Sequence, residues 1–211
     1  MNMLEELNEL DELIIFIRKE YNRLYEEWKK SNLCISIHQK NKLVKDVNSD
    51  SNILNAILNY RLFINEKHLD LKLKFNQLNI KSEINSRVKA QNSIEYKINN
   101  YMSEKHEYGE IPLNKCFNDL YGIRIIFNET IEFEDIKKFV ESRYNGKLKC
   151  YDASKDNYVA THIYFKKDNY SFQWELQIWN KEHERTNIIS HEQYKQDYTK
   201  WEKENKGGES F

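Results

Sequence analysis

The first third of the chain carries the hydrophobic spacing of two long helices. Apolar residues recur every three or four positions over about residues 3–30, which predicts an amphipathic helix. They are Leu7, Leu10, Ile14, Ile17, Tyr21, Leu24 and Trp28. After a polar connector at 31–52, with room for one turn of its own, the same spacing predicts a second helix. Its apolar positions are Ile53, Ile57, Tyr60, Ile64, Leu71, Phe75 and Leu78. The first stripe can pack on the chain's own domain, on a second copy or on a partner protein.

Beyond residue 83 the pattern changes to short strands separated by helices. The predicted strands are 84–88, 121–127, 148–151 and the two arms of a hairpin at 158–165 and 172–179. The predicted helices are 93–102, 132–144 and 182–201. This order predicts an α/β domain with a mixed five-stranded sheet flanked by helices. We therefore divide the chain into a helical region at 1–79, an α/β domain at 80–202 and a charged tail at 203–211 that frays.

The hairpin predicts a functional site. Its arms alternate apolar with polar residues on either side of Asp168-Asn169, the most turn-like pair between them. A two- or four-residue loop centred there pairs His162 directly with Glu175. One face is then apolar and belongs to the core. The polar residues of the other face are Tyr158, His162, Glu175 and Gln177.

The charge balance excludes a global field that would attract a polyanion. The chain has 211 residues, with 33 basic and 34 acidic side chains and a formal charge of −1, so any phosphate-binding surface must be local. Cys34, Cys116 and Cys150 match no metal or redox spacing, and we expect reduced, buried thiols in a cytoplasmic protein. The N-terminus lacks the features of a signal peptide, and no apolar stretch reaches the roughly 20 residues of a membrane span.

A cluster of cations marks the predicted junction between the strand at 84–88 and the next helix. Arg87 and Lys89 share one side of the strand, while Ser93 and Lys97 belong to the start of the helix. Backbone N–H groups at a helix start, together with a hydroxyl and cations, would cradle a polyphosphate. The alternative is a solvated basic edge.

The buried strand at 121–127 has a carboxylate before it and an arginine within it. Arg124 interrupts an apolar run, so it needs a partner or a ligand. The structural alternative is an ion pair with Asp119 or Glu175. The functional interpretation places Asp119 and Glu175 around a divalent metal that binds nucleotide phosphates.

Other polar residues also allow two interpretations. His162 is either an ordinary surface histidine or, near Glu175, a phosphate donor or acid–base group. Tyr158 either caps the sheet or stacks on a base. His191 and Lys195 share one face of the last predicted helix, with Tyr194 one turn from His191, which an ordinary polar helix also explains.

Taken in order, these segments resemble the synthetase domain of the RelA/SpoT family, whose fold is of the nucleotidyltransferase kind. The matching motifs are Arg87-Val88-Lys89 with Ser93-Ile94-Glu95-Tyr96-Lys97, Asp119-Leu120-Tyr121-Gly122-Ile123-Arg124, Tyr158 to His162, Glu175-Leu176-Gln177-Ile178 and His191 to Lys195. Each motif alone is weak, but five in this order are specific. The resemblance covers about residues 80–198 and leaves the N-terminal helices outside it.

The resemblance implies an ATP-dependent pyrophosphokinase. In such enzymes a ribose 3′-hydroxyl attacks the β-phosphorus of ATP, pyrophosphate is transferred and AMP leaves. Arg87 would stack on the adenine, and the implied phosphate ligands are Lys89, Ser93, Lys97 and Arg124. Asp119 and Glu175 would position Mg²⁺, with Glu175 also activating the hydroxyl. The implied acceptor side consists of Tyr158, which stacks on the base, and of His162, Gln177, His191 and Lys195.

Four residues, at three places in the sequence, depart from the family's alarmone synthetases. Asn157 stands where a glycine precedes the stacking tyrosine, Trp179-Asn180 replace Arg-Thr, and Asn187 stands where a glutamate precedes the final histidine. The lost cation weakens the case for GDP or GTP as acceptor. The resemblance is closer to the small toxic members, which pyrophosphorylate the 3′ end of tRNA and stop translation.

Three hypotheses follow. The first is pyrophosphate transfer to the 3′ CCA end of tRNA, the second is alarmone synthesis from GDP or GTP, and the third is an inactive nucleotide- or RNA-binding module. A tRNA surface would use Lys29 and Lys30 at the end of the first helix, although a solvated helix face explains them too. The sequence lacks the His-Asp constellation of the family's hydrolase domains. A toxic synthetase would therefore need an antitoxin partner, and we expect neither membrane nor DNA as a partner.

Overall fold

The computed structural model describes residues 2–192, in which helices flank a five-stranded sheet. The helices are α1 (Met3–Lys30), α2 (Ser51–Phe75), α3 (Gln91–Tyr101), α4 (Leu113–Cys116), α5 (Phe133–Arg143) and α6, which begins at residue 184 and is described to 192. The strands are β1 (Glu83–Val88), β2 (Tyr121–Phe127), β3 (Cys150–Asp152), β4 (Thr161–Phe165) and β5 (Trp174–Asn180). Short 3-10 helices cover Val44–Asn48, Glu104–Gly109 and Lys181–His183. The predicted residues Tyr194 and Lys195 and the predicted tail lie outside the described residues.

α1 begins where side chains satisfy its free backbone groups. Asn2 Oδ1 accepts from the Glu5 N–H at 3.0 Å, and Glu5 Oε2 accepts from the Asn2 N–H at 3.2 Å, which is a capping box. Lys29 and Lys30 lie in the last turn, where the helix dipole favours cations. The predicted apolar stripe is buried along its whole length. The hydrophobic spacing therefore predicted both bounds and the buried face of this helix.

α1 and α2 pack on the chain's own sheet. The rings of Tyr21 on α1 and Trp174 on β5 have centroids 5.3 Å apart. Trp174 Nε1 donates to Tyr60 OH on α2 at 2.8 Å, and Trp28 meets Tyr60 edge-on at 5.3 Å. Of the three alternatives for the α1 stripe, the intramolecular one is observed. One hydrophobic core extends across the predicted boundary at residue 79, and the division into domains stays a prediction.

Buried carboxylates on α1 hold the ends of neighbouring elements. Glu9 Oε2 accepts from the N–H and the hydroxyl of Ser82, just before β1, at 3.1 and 2.6 Å. Glu6 Oε1 accepts from the Asn128 N–H, just after β2, at 2.7 Å. Because β1 is an edge strand, this anchoring of its start to a core helix fixes where its side chains lie.

The strand order is β1-β2-β5-β4-β3. β2 and β5 are parallel, and the other neighbours are antiparallel. The predicted mixed five-stranded sheet is therefore confirmed. The apolar run predicted as a central strand is β2, which lies between β1 and β5 and is buried except at Arg124. None of the described helices combines the length and apolarity that crossing a bilayer requires.

The register of the hairpin differs from the prediction by two residues. His162 lies opposite Gln177, and Tyr164 lies opposite Glu175, so the predicted pairing of His162 with Glu175 was wrong. A shift by an even number of positions keeps every side chain on its face. The predicted division into an apolar and a polar face is therefore correct, although the partners across the strands are not.

The loop between β4 and β5 explains this error. It covers residues 166–173 and is longer than the predicted two- or four-residue turn. Ser171 Oγ accepts from the N–H groups of Lys167 and Asp168 at 3.0 and 3.1 Å, and Asp168 Oδ1 accepts from the Tyr170 N–H at 2.9 Å. These local bonds hold residues 167–171 in a turn and leave Phe172 buried outside the strand.

Several elements begin or end at residues other than those predicted. α2 ends at Phe75 instead of residue 78, and β3 covers Cys150–Asp152 instead of 148–151. Tyr158 precedes β4 and forms an isolated bridge with Lys155. Cys116 and Cys150 are buried free thiols as expected, whereas Cys34 is partly exposed.

Candidate active site

Two rows of side chains cross one face of the sheet, which we call the site face. Neighbours in each row are register partners. The first row is Arg87, Gly122, Glu175 and Tyr164. The second row is Asn85, Arg124, Gln177, His162 and Tyr151. The parallel pairing of β2 with β5 therefore brings the β1 cation and the hairpin carboxylate into one row, and the site predicted from the hairpin extends across the whole sheet.

Gly122 leaves a gap between Arg87 and Glu175 in the first row. A methyl group in its place would lie 3.8 Å from Arg87 Nε and 4.0 Å from Glu175 Oε2. A cavity of about 220 Å³ lies beside this gap, and its walls include Arg87, Arg124 and Gln177. A ligand in the gap would contact a guanidinium group and a carboxylate together.

Glu175 is the centre of a hydrogen-bond network and is only 5% exposed. Its Oε1 lies 3.1 Å from His162 Nδ1 and accepts from Tyr164 OH at 3.2 Å, and its Oε2 accepts from Gln177 Nε2 at 2.8 Å. Burial acts to raise the pKa of this carboxyl group, but the donors, His162 first, outweigh burial and hold the pKa below its usual value of 4.5. Glu175 is therefore an anion at neutral pH.

Tyr158 extends the network beyond His162. Its hydroxyl lies 3.0 Å from His162 Nε2 and accepts from Trp179 Nε1 at 3.3 Å. Because an indole N–H only donates, the Tyr158 proton can point at His162 Nε2, which leaves the Nδ1–H for Glu175. This assignment follows from the hydrogen-bond partners and defines one tautomer of His162. Burial raises the pKa of Tyr158 to about 12, so the phenol keeps its proton.

Arg124 closes the network. Its Nη2 and Nε donate to Gln177 Oε1 at 2.9 and 3.2 Å, and its guanidinium carbon lies 3.4 Å from the centroid of the Trp179 ring. Within the described residues Arg124 forms no ion pair with Asp119 or Glu175, the structural alternative considered above. Burial, followed by repulsion from Arg87, lowers the pKa of Arg124 to about 10, which leaves it cationic at neutral pH.

Trp179 occupies the position where the resemblance expects an arginine. It is 1% exposed, and its ring contacts both the guanidinium group of Arg124 and the ring of His191, whose centroid is 5.6 Å away. Arg124 Nη2 also donates to His191 Nε2 at 3.4 Å. This position therefore supplies a stacking surface for Arg124 in place of a second cation, and the structure brings the predicted residue His191 to the site.

Asp119 anchors a separate cluster of charges at the start of β2. Lys89 Nζ lies 2.6 Å from its Oδ2, and Lys97 Nζ lies 3.0 Å from its Oδ1. Burial acts to raise the pKa of Asp119, but attraction by Lys89 and Lys97 outweighs it and holds the pKa far below the usual 3.8. Burial lowers the pKa of Lys89, and attraction to Asp119 opposes that effect. With both lysines protonated, the cluster has a net positive charge, which suits a phosphate.

The start of α3 completes this cluster. Ser93 lies in the first turn, and its N–H donates to Asn92 Oδ1 at 3.0 Å. Arg61 on α2 donates from Nε to the carbonyl oxygen of Lys89 at 2.9 Å. Arg61 was not among the predicted site residues, because the apolar spacing of α2 carries no information about which junction the helix crosses.

Two site residues of the hairpin region were also missed. Tyr164 has the same strand parity as His162, so its place on the site face could have been predicted. Asn187 is fully buried, and its amide accepts from the Val159 N–H and donates to the Val159 carbonyl oxygen, both at 2.8 Å. Val159 follows Tyr158, so Asn187 holds the segment that carries Tyr158.

Two predicted binding residues, Lys29 and Lys30, lie apart from the network. Lys195 lies outside the described residues. Lys29 and Lys30 are exposed at the end of α1, and Lys29 Nζ lies 5.4 Å from the centroid of the Tyr25 ring. Their role in binding tRNA stays a prediction.

The two carboxylates predicted to hold a metal belong to neighbouring clusters. Both are ionised, and the charge of Asp119 acts to raise the pKa of Glu175, so the two groups interact. Across the described residues, no group of three or more His, Cys, Asp or Glu side chains forms a metal cage. Mg²⁺ typically uses one or two carboxylates together with substrate phosphates and waters. The donor set therefore fits a metal that binds together with a nucleotide.

Comparison with known proteins yields a family and several structural neighbours. The family described as a region found in RelA / SpoT proteins matches residues 86–199. Small alarmone synthetase 1 from Bacillus subtilis, bound to its product pppGpp, is 18% identical, with 70% of this chain and 83% of that chain covered and a TM-score of 0.40. The same protein bound to AMPCPP is 20% identical, with 71% and 82% covered and a TM-score of 0.35. Small alarmone synthetase 2 from this organism is 19% identical, with 67% and 79% covered and a TM-score of 0.38. No curated protein sequence matches the chain.

The family match includes all five motifs on which the resemblance rests. It begins one residue before Arg87, ends after Lys195 and covers more than half of the 211 residues. It also includes every strand of the sheet except the first part of β1. The chain belongs to the family defined by the region found in RelA / SpoT proteins.

Proposed function

We propose that the protein transfers the β,γ-pyrophosphate group of ATP to a ribose 3′-hydroxyl, and that the acceptor ribose is the 3′ end of tRNA. The observation that carries this proposal is the row of Arg87, Gly122 and Glu175, in which a cation and an ionised carboxylate face each other across a gap. Family membership supports the reaction type. The resemblance of the hairpin motifs to the toxic members supports the acceptor.

The donor side of the site consists of cations. Arg87 borders the cavity beside Gly122 and is exposed, so its guanidinium plane can stack on the adenine. Lys89 and Lys97 provide a net positive cluster at the start of α3, where backbone N–H groups and Ser93 also favour an anion. Arg124 adds a further cation from β2. ATP bound there would have its phosphates compensated by fixed charges before the reaction starts.

The transfer requires one new bond and one broken bond. The ribose 3′ oxygen attacks the β-phosphorus of ATP, the bond from that phosphorus to the oxygen bridging the α-phosphate breaks, and AMP leaves with that oxygen. The hydroxyl proton passes to the Glu175 carboxylate. Phosphoryl chemistry of this kind depends mainly on positioning and charge compensation.

Glu175 acts in this proposal by orienting the hydroxyl. Its lowered pKa makes it a weak base but keeps it ionised and ready to accept a hydrogen bond. His162, Tyr164 and Gln177 fix the positions of its oxygens. A hydroxyl that points at this carboxylate would present its oxygen to the phosphorus.

Asp119 and Glu175 would hold Mg²⁺ when a nucleotide is bound. The metal would supply charge neutralisation on the phosphate oxygens. In this proposal removal of divalent cations with EDTA stops the reaction, and readdition of Mg²⁺ restores it.

The acceptor side supports tRNA over a guanine nucleotide. Trp179 puts a buried ring where a cation would bind the phosphates of GDP or GTP. Tyr158 would stack on the terminal base beside His162. A protein that blocks tRNA ends would stop translation, so we also propose that an antitoxin partner restrains it.

One assay tests the reaction and the acceptor together. The protein is incubated with ATP labelled in its β and γ phosphates and with either deacylated tRNA or GDP. The proposal predicts label on tRNA and release of AMP. Label on GDP alone would replace tRNA with a guanine nucleotide, and label on neither would contradict the proposed reaction.

A further inference from the structure

A basic groove lies between α1, the segment around α4 and the adjoining ends of β3 and β4. Its volume is about 800 Å³. We call it the basic groove, because six cationic side chains line it. They are Arg18, Lys115, Lys147, Lys149, Lys166 and Lys167. None of these residues belongs to a motif that the resemblance assigns, and none is part of the network around Glu175.

The cations of the basic groove are not neutralised by carboxylates. No Asp or Glu is among the residues that line it. In the part of the chain that the structure describes, only Lys167 has a carboxylate within 4 Å, Glu26 at 3.8 Å, and both side chains are exposed. In a chain with a formal charge of −1, six cations with a single exposed carboxylate among their described neighbours form a local positive field of the kind that attracts phosphates.

The basic groove is continuous with the proposed active site. Tyr164 lines it and also donates to Glu175 Oε1 at 3.2 Å. Asn118, another lining residue, immediately precedes Asp119. Tyr151, which also lines it, has its ring centroid 5.7 Å from that of Tyr164 and is 50% exposed. A chain of linked phosphates in the groove would therefore have one end beside Glu175.

We propose that the basic groove binds the single-stranded 3′ end of the acceptor RNA, with its backbone phosphates on the six cations and a base on Tyr151. This inference rests on the proposed function, since it names the path by which an RNA ribose reaches Glu175. Binding of single strands combines cations that follow the backbone with aromatic rings that stack on bases. The cations come from three segments of the chain, around residues 18, 115 and 147–167, and all six line the groove. The phosphates of a mononucleotide would use only one part of it.

The test compares two triple variants with the same change in charge. The groove variant is Lys147→Gln, Lys149→Gln and Lys166→Gln. The control variant is Lys19→Gln, Lys105→Gln and Lys138→Gln, all exposed and outside the basic groove. Affinity for a short 5′-fluorescein-labelled RNA ending in CCA is measured by fluorescence anisotropy over a range of salt concentrations, and affinity for ATP and for GTP is measured separately.

We expect the groove variant to bind the RNA more weakly. Each phosphate contact to a single strand contributes about 0.7 to the slope of log affinity against log salt concentration, so loss of three lysines should reduce the magnitude of that slope by about 2. The control variant should bind RNA like the wild type, and both should bind ATP normally. Tyr151→Ala should weaken RNA binding without changing the salt slope. RNA affinity equal in the two triple variants would overturn the inference, and so would a loss of GTP binding with RNA binding intact.

These experiments distinguish an error in the proposed RNA-binding role of the groove from an error in the proposed function. Binding is measured without ATP turnover, so RNA that binds through the groove but receives no pyrophosphate would leave the inference intact and refute the function. Transfer to tRNA that is equally fast in the groove variant and the wild type would refute the inference and leave the function intact.

Discussion

The sharpest prediction concerns the amide of Asn187. Asn187→Ala removes both hydrogen bonds to Val159, each 2.8 Å long. A buried backbone group left without a partner costs about 1–3 kcal/mol. Because Val159 is partly exposed and water can reach it, we expect the lower end of that range for each group, or about 2 kcal/mol of unfolding free energy in total. The loss should also release the segment that carries Tyr158.

Asn180 provides a matched control. Its amide makes the same pair of bonds with Ile131, in the loop after β2, at 3.3 and 3.2 Å. Asn180→Ala should destabilise the fold by at least as much, because Ile131 is buried and water cannot replace its lost bonds, without touching the segment of Tyr158. The comparison separates loss of stability from loss of positioning.

The assay measures urea unfolding and steady-state kinetics for both variants. We expect Asn187→Ala to raise the KM for the acceptor by about tenfold, equivalent to about 1.4 kcal/mol, while the KM for ATP stays close to that of the wild type. Asn180→Ala should leave both KM values unchanged. If the two variants lost acceptor affinity equally, the positioning role of Asn187 would be wrong.

Three further predictions follow from the site. Gly122→Ala should fold normally, because the nearest atoms to the added methyl group are at 3.8–4.0 Å. The methyl group fills the gap, so ATP affinity in a nucleotide-binding assay should fall by about tenfold. Unchanged ATP affinity would contradict the proposed binding of ATP in that gap. The pKa of Asp119 in the folded state is below 3.8, so its contribution to stability is present above pH 3.8 and is lost as the pH falls through the folded pKa. Asp119→Asn should therefore lower the free energy of unfolding near pH 7 by about 3–5 kcal/mol. The variant should also lose less further stability in acid than the wild type, which urea midpoints measured across pH would show. Tyr158→Ala should raise the KM for the acceptor more than that for ATP, and equal changes in both would refute the stacking role.

The hydrophobic pattern was sufficient to predict the five strands and the long helices, but not α4 or the short 3-10 helices. The stripe of α1 predicted its whole length because a capping box and a continuous apolar face act in the same direction there. β2 could be predicted because it is buried on both sides. The polar face of the hairpin was predicted correctly despite the wrong register, since a shift by two residues does not exchange the faces.

Contacts between distant segments could not be predicted in this way. Arg124 needed a partner, but finding Gln177 and Trp179 required the parallel pairing of β2 with β5, which no local pattern encodes. The loop turn around Ser171 depends on side-chain hydrogen bonds that override the expected short turn. The basic groove combines residues from distant parts of the chain, so their shared surface became visible only in the fold.

The most direct test of the central claim is the rate of AMP release from ATP in the presence of acceptor, compared between the wild type and Glu175→Gln. The substitution keeps the size of the side chain and removes the anion that is held by His162, Tyr164 and Gln177. If this network is the active site, the wild type should release AMP in step with label appearing on the acceptor, and Glu175→Gln should lose at least about 100-fold in rate while remaining folded under the assay conditions. Full activity in Glu175→Gln would contradict the account.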